Sequence, residues 1–233
     1  MNFDLSTILY ALAGGTLPAI FWLIFWLRED NRRPEPRRLI VRTFILGMCS
    51  VIVVLPFQKI VGDTFPGYWL LPFLLWAILE EGFKFGAAYM GGLKDIEDNE
   101  PIDPMIYMIT AALGFVALEN TLFIINPLLR QDLIGGVITS NFRFIGASLL
   151  HVLSSAVIGA GISVSFYESK KIKKFDFTIG FIVGVLIHTV FNLFILSQQG
   201  FGMLKTFGVL WIGIAVLILL FERVKKIAPT NIK

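Results

Sequence analysis

The chain has 233 residues, of which 56% are hydrophobic and 22 are phenylalanine, and its mean hydropathy is +0.76. This composition excludes an ordinary soluble domain and predicts a polytopic membrane protein whose surroundings are the lipid bilayer. The net charge of +3 does not indicate nucleic-acid binding, because the basic residues occupy short loops between apolar runs, where they set topology. Cys49 is the only cysteine, so no intrachain disulfide can form.

Seven apolar runs are each long enough to cross a bilayer as a helix. They lie near residues 6–27, 39–61, 67–91, 104–126, 141–166, 176–197 and 203–222. The loops between them are too short to fold separately, and the sequence contains no internal repeat. We therefore expect an all-α bundle of about seven transmembrane helices, with residues 1–233 forming a single integral membrane domain.

Basic residues are distributed unevenly between the two sides of this bundle. Segment 28–38 carries five Arg, and counting spans places Lys94, the lysines of 170–174 and the basic tail 223–226 on the same side. Lys59, Arg130, Arg143 and Lys205 lie on the other side. Because the basic side of a membrane protein is cytoplasmic, we expect a multi-pass protein of the cell membrane with its N-terminus outside and its C-terminus in the cytoplasm.

Some residues of the spans suggest packing roles. The pairs Gly82-x-x-x-Gly86 and Gly180-x-x-x-Gly184 predict close helix approach. Trp26, Tyr68 and Trp69 lie near predicted span ends, where aromatic residues are typical interfacial anchors. Pro104 stands where a helix can begin, because the first turn needs no amide donor from it.

Three ionisable residues, Glu80, Glu81 and Lys84, interrupt the third run. A charged side chain that faces lipid at this depth costs about 3 kcal/mol or more, so these residues must face protein or water. On a helix Lys84 follows Glu80 by four residues and Glu81 by three, and one ammonium group can therefore reach both carboxylates. An intramembrane cluster of this kind indicates a functional site.

Polar residues recur at a similar depth in the next three runs. They are Glu119 with Asn120, His151 with Ser154 and Ser155, and His188 with Asn192. At ~1.5 Å of rise per residue, the Glu and His side chains lie roughly 10 to 20 Å below the outer ends of their spans. Each alone could be an interhelical hydrogen-bond clamp or a satisfied core residue, worth about 0.6 to 2 kcal/mol. Their coincidence at one depth favours a buried catalytic or ion site.

These residue types allow more than one hydrolytic chemistry. A carboxylate near a histidine can hold a water and accept its proton, and a histidine with a carboxamide one turn later can stabilise an oxyanion. Glu80, Glu119, His151 and His188 could instead bind zinc with an open water position, although their spacing is unlike His-Glu-x-x-His. A nucleophilic Ser154 or Ser155 would lack the third group that a triad needs.

Two alternatives come from other classes of protein. A transporter or ion exchanger could use the buried Glu and His groups as a proton relay, although the repeated halves common in transporters are absent. A seven-span receptor or scaffold could use the same polar groups only to clamp its helices together.

Four motifs in order carry a family resemblance. They are Glu80-Glu81-x-x-Lys84, Gly114-Phe115-x-x-Leu118-Glu119-Asn120, Arg143 followed by His151, and His188-x-x-x-Asn192. Over residues 28–197 the chain resembles the PrsW family of bacterial membrane proteases, which is related to the prenyl-protein endopeptidases and bacteriocin-processing enzymes. The wider group more often has Glu-Glu-x-x-x-Arg, so the lysine favours the PrsW branch.

The resemblance implies cleavage of a single-pass membrane protein such as an anti-sigma factor, and an essential role for the Glu pair and the histidines. It leaves zinc open, because relatives have been described both as glutamate-type and as metallopeptidases. We assign Glu80 as the general base, Glu81 and Lys84 as the groups that fix it, and His151 as a partner in holding the water. His188 and Asn192 receive the oxyanion, with Glu119 and Asn120 as supporting residues.

Overall fold

The computed structural model describes residues 5–29, 33–130, 132, 134–135, 137–138, 143–197 and 201–229, and these contain seven long helices and no strand. The helices are α1 (Leu5–Glu29), α2 (Arg37–Thr64), α3 (Leu71–Ala88), α4 (Asp103–Leu129), α5 (Ser148–Ser163), α6 (Lys170–Ser197) and α7 (Phe201–Val224). A π-helical turn at Tyr89–Leu93 extends α3, and another at Arg143–Ala147 leads into α5. Each predicted span coincides with one helix, which confirms the all-α membrane bundle.

Five of these helices, α1, α2, α4, α6 and α7, are long and apolar enough to cross a membrane. The other two are exceptional for separate reasons. Three buried ionisable residues interrupt the apolar surface of α3, and α5 has only 16 residues before its π-helical extension is added. Pro72 and Pro104 lie in the first turns of α3 and α4, where the missing amide costs no helical hydrogen bond, as expected for Pro104.

Helix α4 is the centre of the bundle. Every residue from Asp103 to Ala117 is buried, as expected for a helix that is apolar on all sides. It packs against α1, α2 and α5, while α6 packs against α5 and α3. The first half of α4 therefore forms the core, and its second half, from Phe115 onward, reaches the polar site.

Glycines allow α2 and α4 to cross in near contact. A Cβ atom added to Gly114 would lie 2.0 Å from the carbonyl oxygen of Phe44, and one added to Gly47 would lie 2.2 Å from that of Ala111. Backbone atoms cannot move aside as a flexible side chain can, so both positions require glycine. Small residues are the usual means of close helix packing in membranes.

The two predicted glycine pairs have different outcomes. A Cβ atom on Gly180 would lie 3.0 Å from the Cα atom of Gly161, and one on Gly184 would lie 2.7 Å from the carbonyl oxygen of Ser154, so this pair does bring α6 close to α5. The same prediction is wrong for Gly82 and Gly86, which have no described atom within 4 Å of an added Cβ.

The aromatic residues predicted as interfacial anchors also divide. Trp26 is buried rather than interfacial, because it packs against Phe221 of α7 with ring centroids 5.2 Å apart. That prediction was wrong for a physical reason: α1 turns its terminal indole toward α7 instead of toward the lipid headgroups. Tyr68 and Trp69, in the turn between α2 and α3, are exposed.

Side chains tie two loops together at the end of the bundle where α2 and α4 begin. The Tyr107 hydroxyl donates a hydrogen bond to Glu35, which is buried. Arg33 forms an ion pair of 3.0 Å with Glu100. Residues 33–36, just before α2, therefore lie against the loop before α4, as the antiparallel arrangement of spans requires.

The α2–α4 crossing yields a stability prediction. Gly114→Ala should lower the thermal midpoint of the purified protein in detergent, because overpacking against the Phe44 backbone costs about 1 to 3 kcal/mol. Gly86→Ala is the matched control: it has open space around it, and it should be neutral or stabilising by about 0.5 to 1 kcal/mol through helix propensity. Circular dichroism on heating measures both midpoints. Equal midpoints for the two variants would contradict the close crossing.

Candidate active site

Glu81 lies at the centre of the polar site and is fully buried. Its oxygens accept hydrogen bonds from Lys84 Nζ at 2.8 Å, Ser154 Oγ at 2.8 Å and Ser155 Oγ at 2.7 Å. The Nδ1 atom of His188 lies 2.7 Å from Oε1 of the same carboxylate. Four donors from three helices satisfy this buried charge, so Glu81 joins α3 to α5 and α6.

The contact with Glu81 sets the tautomer of His188. A carboxylate bonded to an ammonium group can only accept, so Nδ1 of His188 carries the proton and donates it. The other nitrogen, Nε2, then faces Glu80, with Oε2 at 3.5 Å. Histidines that bind a metal through one ring nitrogen usually donate the proton of the other ring nitrogen to a carboxylate, as His188 does here.

His151 is held at both of its nitrogens. Nδ1 lies 2.6 Å from Lys84 Nζ, and Nε2 lies 3.3 Å from Oε2 of Glu119. Because an ammonium group has only donors, Nδ1 accepts from Lys84 and Nε2 donates to Glu119. Lys84 thus contacts Glu81 and His151 directly, while its distance to Glu80 is 3.8 Å; it orients the histidine as well as the carboxylate pair.

Glu80 has one occupied and one open carboxylate oxygen. Oε1 accepts a hydrogen bond of 2.8 Å from Gln58 Nε2. Oε2 is buried, has no hydrogen-bond partner among the described residues, and lies 3.5 Å from Nε2 of His188 and 3.8 Å from Nδ1 of His151. An unpartnered carboxylate oxygen beside two imidazoles is placed to accept a proton or to bind a cation.

A cavity of about 550 Å³ lies in front of this oxygen. It is lined by Val51, Val54, Leu55, Gln58, Phe73, Trp76, Glu80, Phe115, Glu119, Leu122, Phe123, Asn126, Arg143, Ala147, Leu150, His151, His188 and Asn192. Asn192 stands one helical turn after His188, as predicted. Ser154 and Ser155 do not line the cavity, because their hydroxyls donate to Glu81. Neither hydroxyl is therefore positioned to attack a substrate in the cavity.

Arg143 closes one wall of the cavity. Its guanidinium donates to Oε2 of Glu119 and to Oδ1 of Asn120, and its carbon Cζ lies 3.9 Å from the centre of the Phe123 ring. Asn120 in turn donates to Ser148 Oγ at 3.3 Å. Glu119 and Asn120 therefore anchor the π-helical turn before α5 to α4, and Glu119 connects Arg143 to His151.

All of the cavity residues lie toward one end of the bundle. They come from 51–58 in α2, 73–80 in α3, 115–126 in α4, 143–151 at the start of α5 and 188–192 in α6. This end contains the turn between α2 and α3, whereas the last residues of α1 and the first residues of α2 lie at the opposite end. Glu80 is nine residues from the start of α3, so it lies about 14 Å below that end of its helix.

Glu80, His151 and His188 could hold a metal ion, since one ligand atom from each lies within 4.8 Å of the other two. The open Oε2 of Glu80 and the lone pair of His188 Nε2 fit a cation without change. His151 fits only if it gives up its contact with Lys84 or with Glu119. Glu119, which we also considered as a ligand, is not in the set that converges, because Arg143 and His151 hold its carboxylate.

The structure brings together all eight residues named from sequence, at one end of four neighbouring helices. Three contributions were missed: Gln58, which bonds Glu80; Arg143, which appeared only as part of a motif; and the serine hydroxyls, which bond Glu81 and were considered only as nucleophiles. Gln58 could have been noticed, because a carboxamide inside an apolar run needs a partner. The pairing of Arg143 with Glu119 could not have been noticed, since Glu119 lies on another helix.

The chain is similar to known proteins over most of its length. A model of the "PrsW family intramembrane metalloprotease" matches residues 35–221. Protease PrsW of Geobacillus kaustophilus is 25% identical over 195 residues, 82% of each chain. Protease PrsW of Halalkalibacterium halodurans is 27% identical over 79% of this chain and 83% of the relative. Protease PrsW of Bacillus subtilis is 24% identical over 86% and 90%.

No solved structure matches the chain. The family match begins before α2 and ends in α7, so it includes every residue of the cavity and of the cluster around Glu81. It favours proteolysis over the ion-exchange and scaffold alternatives. The chain belongs to the PrsW family of intramembrane metalloproteases.

Proposed function

We propose that this protein is a cell-membrane endopeptidase that hydrolyses a peptide bond in a single-pass, anti-sigma-factor-like membrane protein, with water as the nucleophile. The observation that carries the proposal is Oε2 of Glu80. This buried carboxylate oxygen has no hydrogen-bond partner in the part of the chain that the structure describes, and it faces two imidazoles beside the cavity. No described serine hydroxyl reaches that cavity, which leaves water as the attacking group.

The residues divide the reaction between them. Glu80 accepts the proton of the attacking water at Oε2 and returns it to the leaving amine, as a general base and then a general acid. His151, which contacts Lys84 and Glu119, lies beside Glu80 and helps to hold the attacking water. Lys84 and Glu81 hold both groups in position.

His188 and Asn192 receive the negative charge that develops on the scissile carbonyl. His188 can donate from Nε2 only as an imidazolium, because its Nδ1 proton is already directed to Glu81. Asn192, one turn further along α6 and lining the same cavity, needs no proton transfer to donate.

A zinc-dependent version of the same reaction is favoured by the convergence of Glu80, His151 and His188 and by the family description. Two imidazoles and one carboxylate are a common ligand set of catalytic zinc. A zinc ion bound there would lower the pKa of a bound water and polarise the scissile carbonyl. Glu81 would then orient His188, and Glu119 would orient His151, by accepting a hydrogen bond from the ring nitrogen that does not bind the metal.

The position of the cavity supports a choice of cleavage side. Basic segment 28–38 predicts that its end of the bundle is cytoplasmic, and the cavity lies toward the opposite end. We therefore propose cleavage near the extracytoplasmic end of the substrate's span. The apolar cavity walls, which include Phe73, Trp76 and Phe115, suit the side chains of a membrane-embedded segment.

The first prediction concerns the catalytic groups. Glu80→Gln should abolish cleavage of a co-expressed single-pass reporter tagged at both ends, since loss of a general base costs about 10²- to 10⁴-fold. Glu81→Gln, His151→Ala and His188→Ala should each abolish it as well, because they remove groups that position Glu80, hold the water or receive the oxyanion. Asn192→Ala should cost about 10²- to 10³-fold. Ser155→Ala should retain measurable cleavage, because three donors to Glu81 remain. Full activity of Glu80→Gln together with complete loss in Ser155→Ala would contradict water attack.

The second prediction concerns orientation. In a Cys49→Ala background, a cysteine replacing Gly67, in the turn between α2 and α3, should react with a membrane-impermeant thiol reagent in intact cells. A cysteine replacing Pro34 should react only after the membrane is opened. Both positions lie in loops between helices, so they form a matched pair. The opposite pattern would invert the proposed topology and move the cavity to the cytoplasmic half.

The third prediction concerns metal. In the zinc-dependent version, the purified protein should contain about one zinc per chain by elemental analysis, and a chelator should abolish cleavage until zinc is restored. His188→Ala should lose the metal, whereas Glu119→Gln should keep most of it, because Glu119 lies outside the convergent set. Active protein that lacks metal and is indifferent to chelators would leave Glu80-activated water as the mechanism.

A further inference from the structure

Gln58 is half-buried in the last part of α2 and faces the cavity. The adjacent Lys59 is exposed, and its ammonium pairs with Asp63 at 2.8 Å. Gln58 lines the cavity together with apolar residues of the same helix such as Leu55, and it donates to Oε1 of Glu80 at 2.8 Å.

The backbone that carries Gln58 is fixed independently of its side chain. Nε1 of Trp76, on α3, donates to the backbone carbonyl oxygen of Gln58 at 2.9 Å. The same indole ring lies against α2 at Gly62, where an added Cβ atom would be 3.6 Å from it. The carboxamide is therefore presented to Glu80 from a helix that is tied to α3 at the same level.

We propose that Gln58 is a positioning residue for the reaction: its carboxamide holds Oε1 of Glu80 so that Oε2 faces the two imidazoles. The inference rests on the role of Glu80 proposed above. The alternative partner of the Glu80 carboxylate is Lys84, whose ammonium group lies 3.8 Å from Oε2. Without the bond from Gln58, the flexible Glu80 side chain is free to rotate into a direct ion pair with Lys84, and Oε2 then no longer faces the water or metal position.

This role is the same in both versions of the chemistry. When Glu80 is a general base, Gln58 decides which oxygen takes the proton. When Glu80 is a metal ligand, Gln58 bonds the oxygen that does not coordinate. Replacing a residue that hydrogen-bonds to a metal ligand typically lowers metal affinity or activity by about 10- to 100-fold. Misplacing a catalytic group by about 1 Å can lower the rate by a similar factor.

The test uses three replacements of different character. Gln58→Met keeps the length of the side chain and removes the donor. Gln58→Asn keeps the carboxamide but is one methylene too short to reach Glu80. Lys59→Gln is the matched control, because it changes the adjacent, exposed position on the same helix. We expect Gln58→Met and Gln58→Asn to lower kcat for the doubly tagged reporter by about 10- to 100-fold, with KM within about twofold of wild type, and Lys59→Gln to match wild type.

A second measurement needs no substrate. Zinc is titrated into the full-length protein in detergent against a chromophoric zinc indicator, and Gln58→Met should bind it about 10- to 100-fold more weakly than wild type and Lys59→Gln do. If wild type takes up no zinc, the kinetic constants decide alone. If no reporter is cleaved by wild type, the function proposed above fails, and the zinc affinities still test Gln58.

Gln58→Met with wild-type kcat, or with wild-type zinc affinity in a protein that binds zinc, would overturn the inference. A raised KM with unchanged kcat would also overturn it, because it would assign Gln58 to substrate binding. Retention of activity by Gln58→Asn alongside its loss in Gln58→Met would show that a polar lining, not a bond to Oε1, is what matters. A fall in kcat without a change in thermal midpoint excludes a purely structural effect.

Discussion

The structure depends on the burial of one carboxylate in an apolar bundle. An unpaired ion at the depth of Glu81 would be prohibitively costly, and the chain compensates with four donors from Lys84, Ser154, Ser155 and His188. Each donor comes from a different position on α3, α5 or α6. Since removing one partner of a buried pair is far more costly than its net contribution, these helices are held in a single register.

That register leaves the neighbouring carboxylate, Glu80, facing the cavity. Glu80 and Glu81 are adjacent in sequence and therefore about 100° apart around α3. One is directed into the saturated cluster and the other into the cavity, with one oxygen bonded to Gln58 and the other open. The two acids thus have different surroundings because of the helical turn between them. Glu81 joins three helices, and Glu80 is the group that we propose as the general base.

Much of this could be predicted from the sequence, for identifiable reasons. Polar residues are so unfavourable in lipid that Glu80, His151 and His188 stand out in their apolar runs, and shared depth was enough to expect that they meet. The helices themselves followed from run length. The rotation of each helix about its own axis could not be predicted. For this reason the packing role expected for Gly82 and Gly86 was wrong, and the burial of Trp26 against Phe221 was missed.

The contact between Lys84 and His151 could not be predicted for a related reason. Spacing on α3 showed that its ammonium can reach both carboxylates, but the 2.6 Å contact with His151 joins residues 67 positions apart. Partners on other helices depend on tertiary packing, which here is set by the glycine crossings of α2 with α4 and of α5 with α6. Contacts within one helix are readable from sequence, whereas contacts between helices need the structure.

The charges of the site suggest why an additional cation suits it. Three carboxylates, Glu80, Glu81 and Glu119, face two permanent cations, Lys84 and Arg143. With both imidazoles neutral, one negative charge is uncompensated, and Oε2 of Glu80 has no hydrogen-bond donor among the described residues. A single proton neutralises that charge. A divalent ion would instead leave one positive charge, and the attraction between that charge and the oxyanion of the reaction would be strong at low dielectric. In both cases the added cation removes the excess negative charge, which would otherwise repel the developing oxyanion.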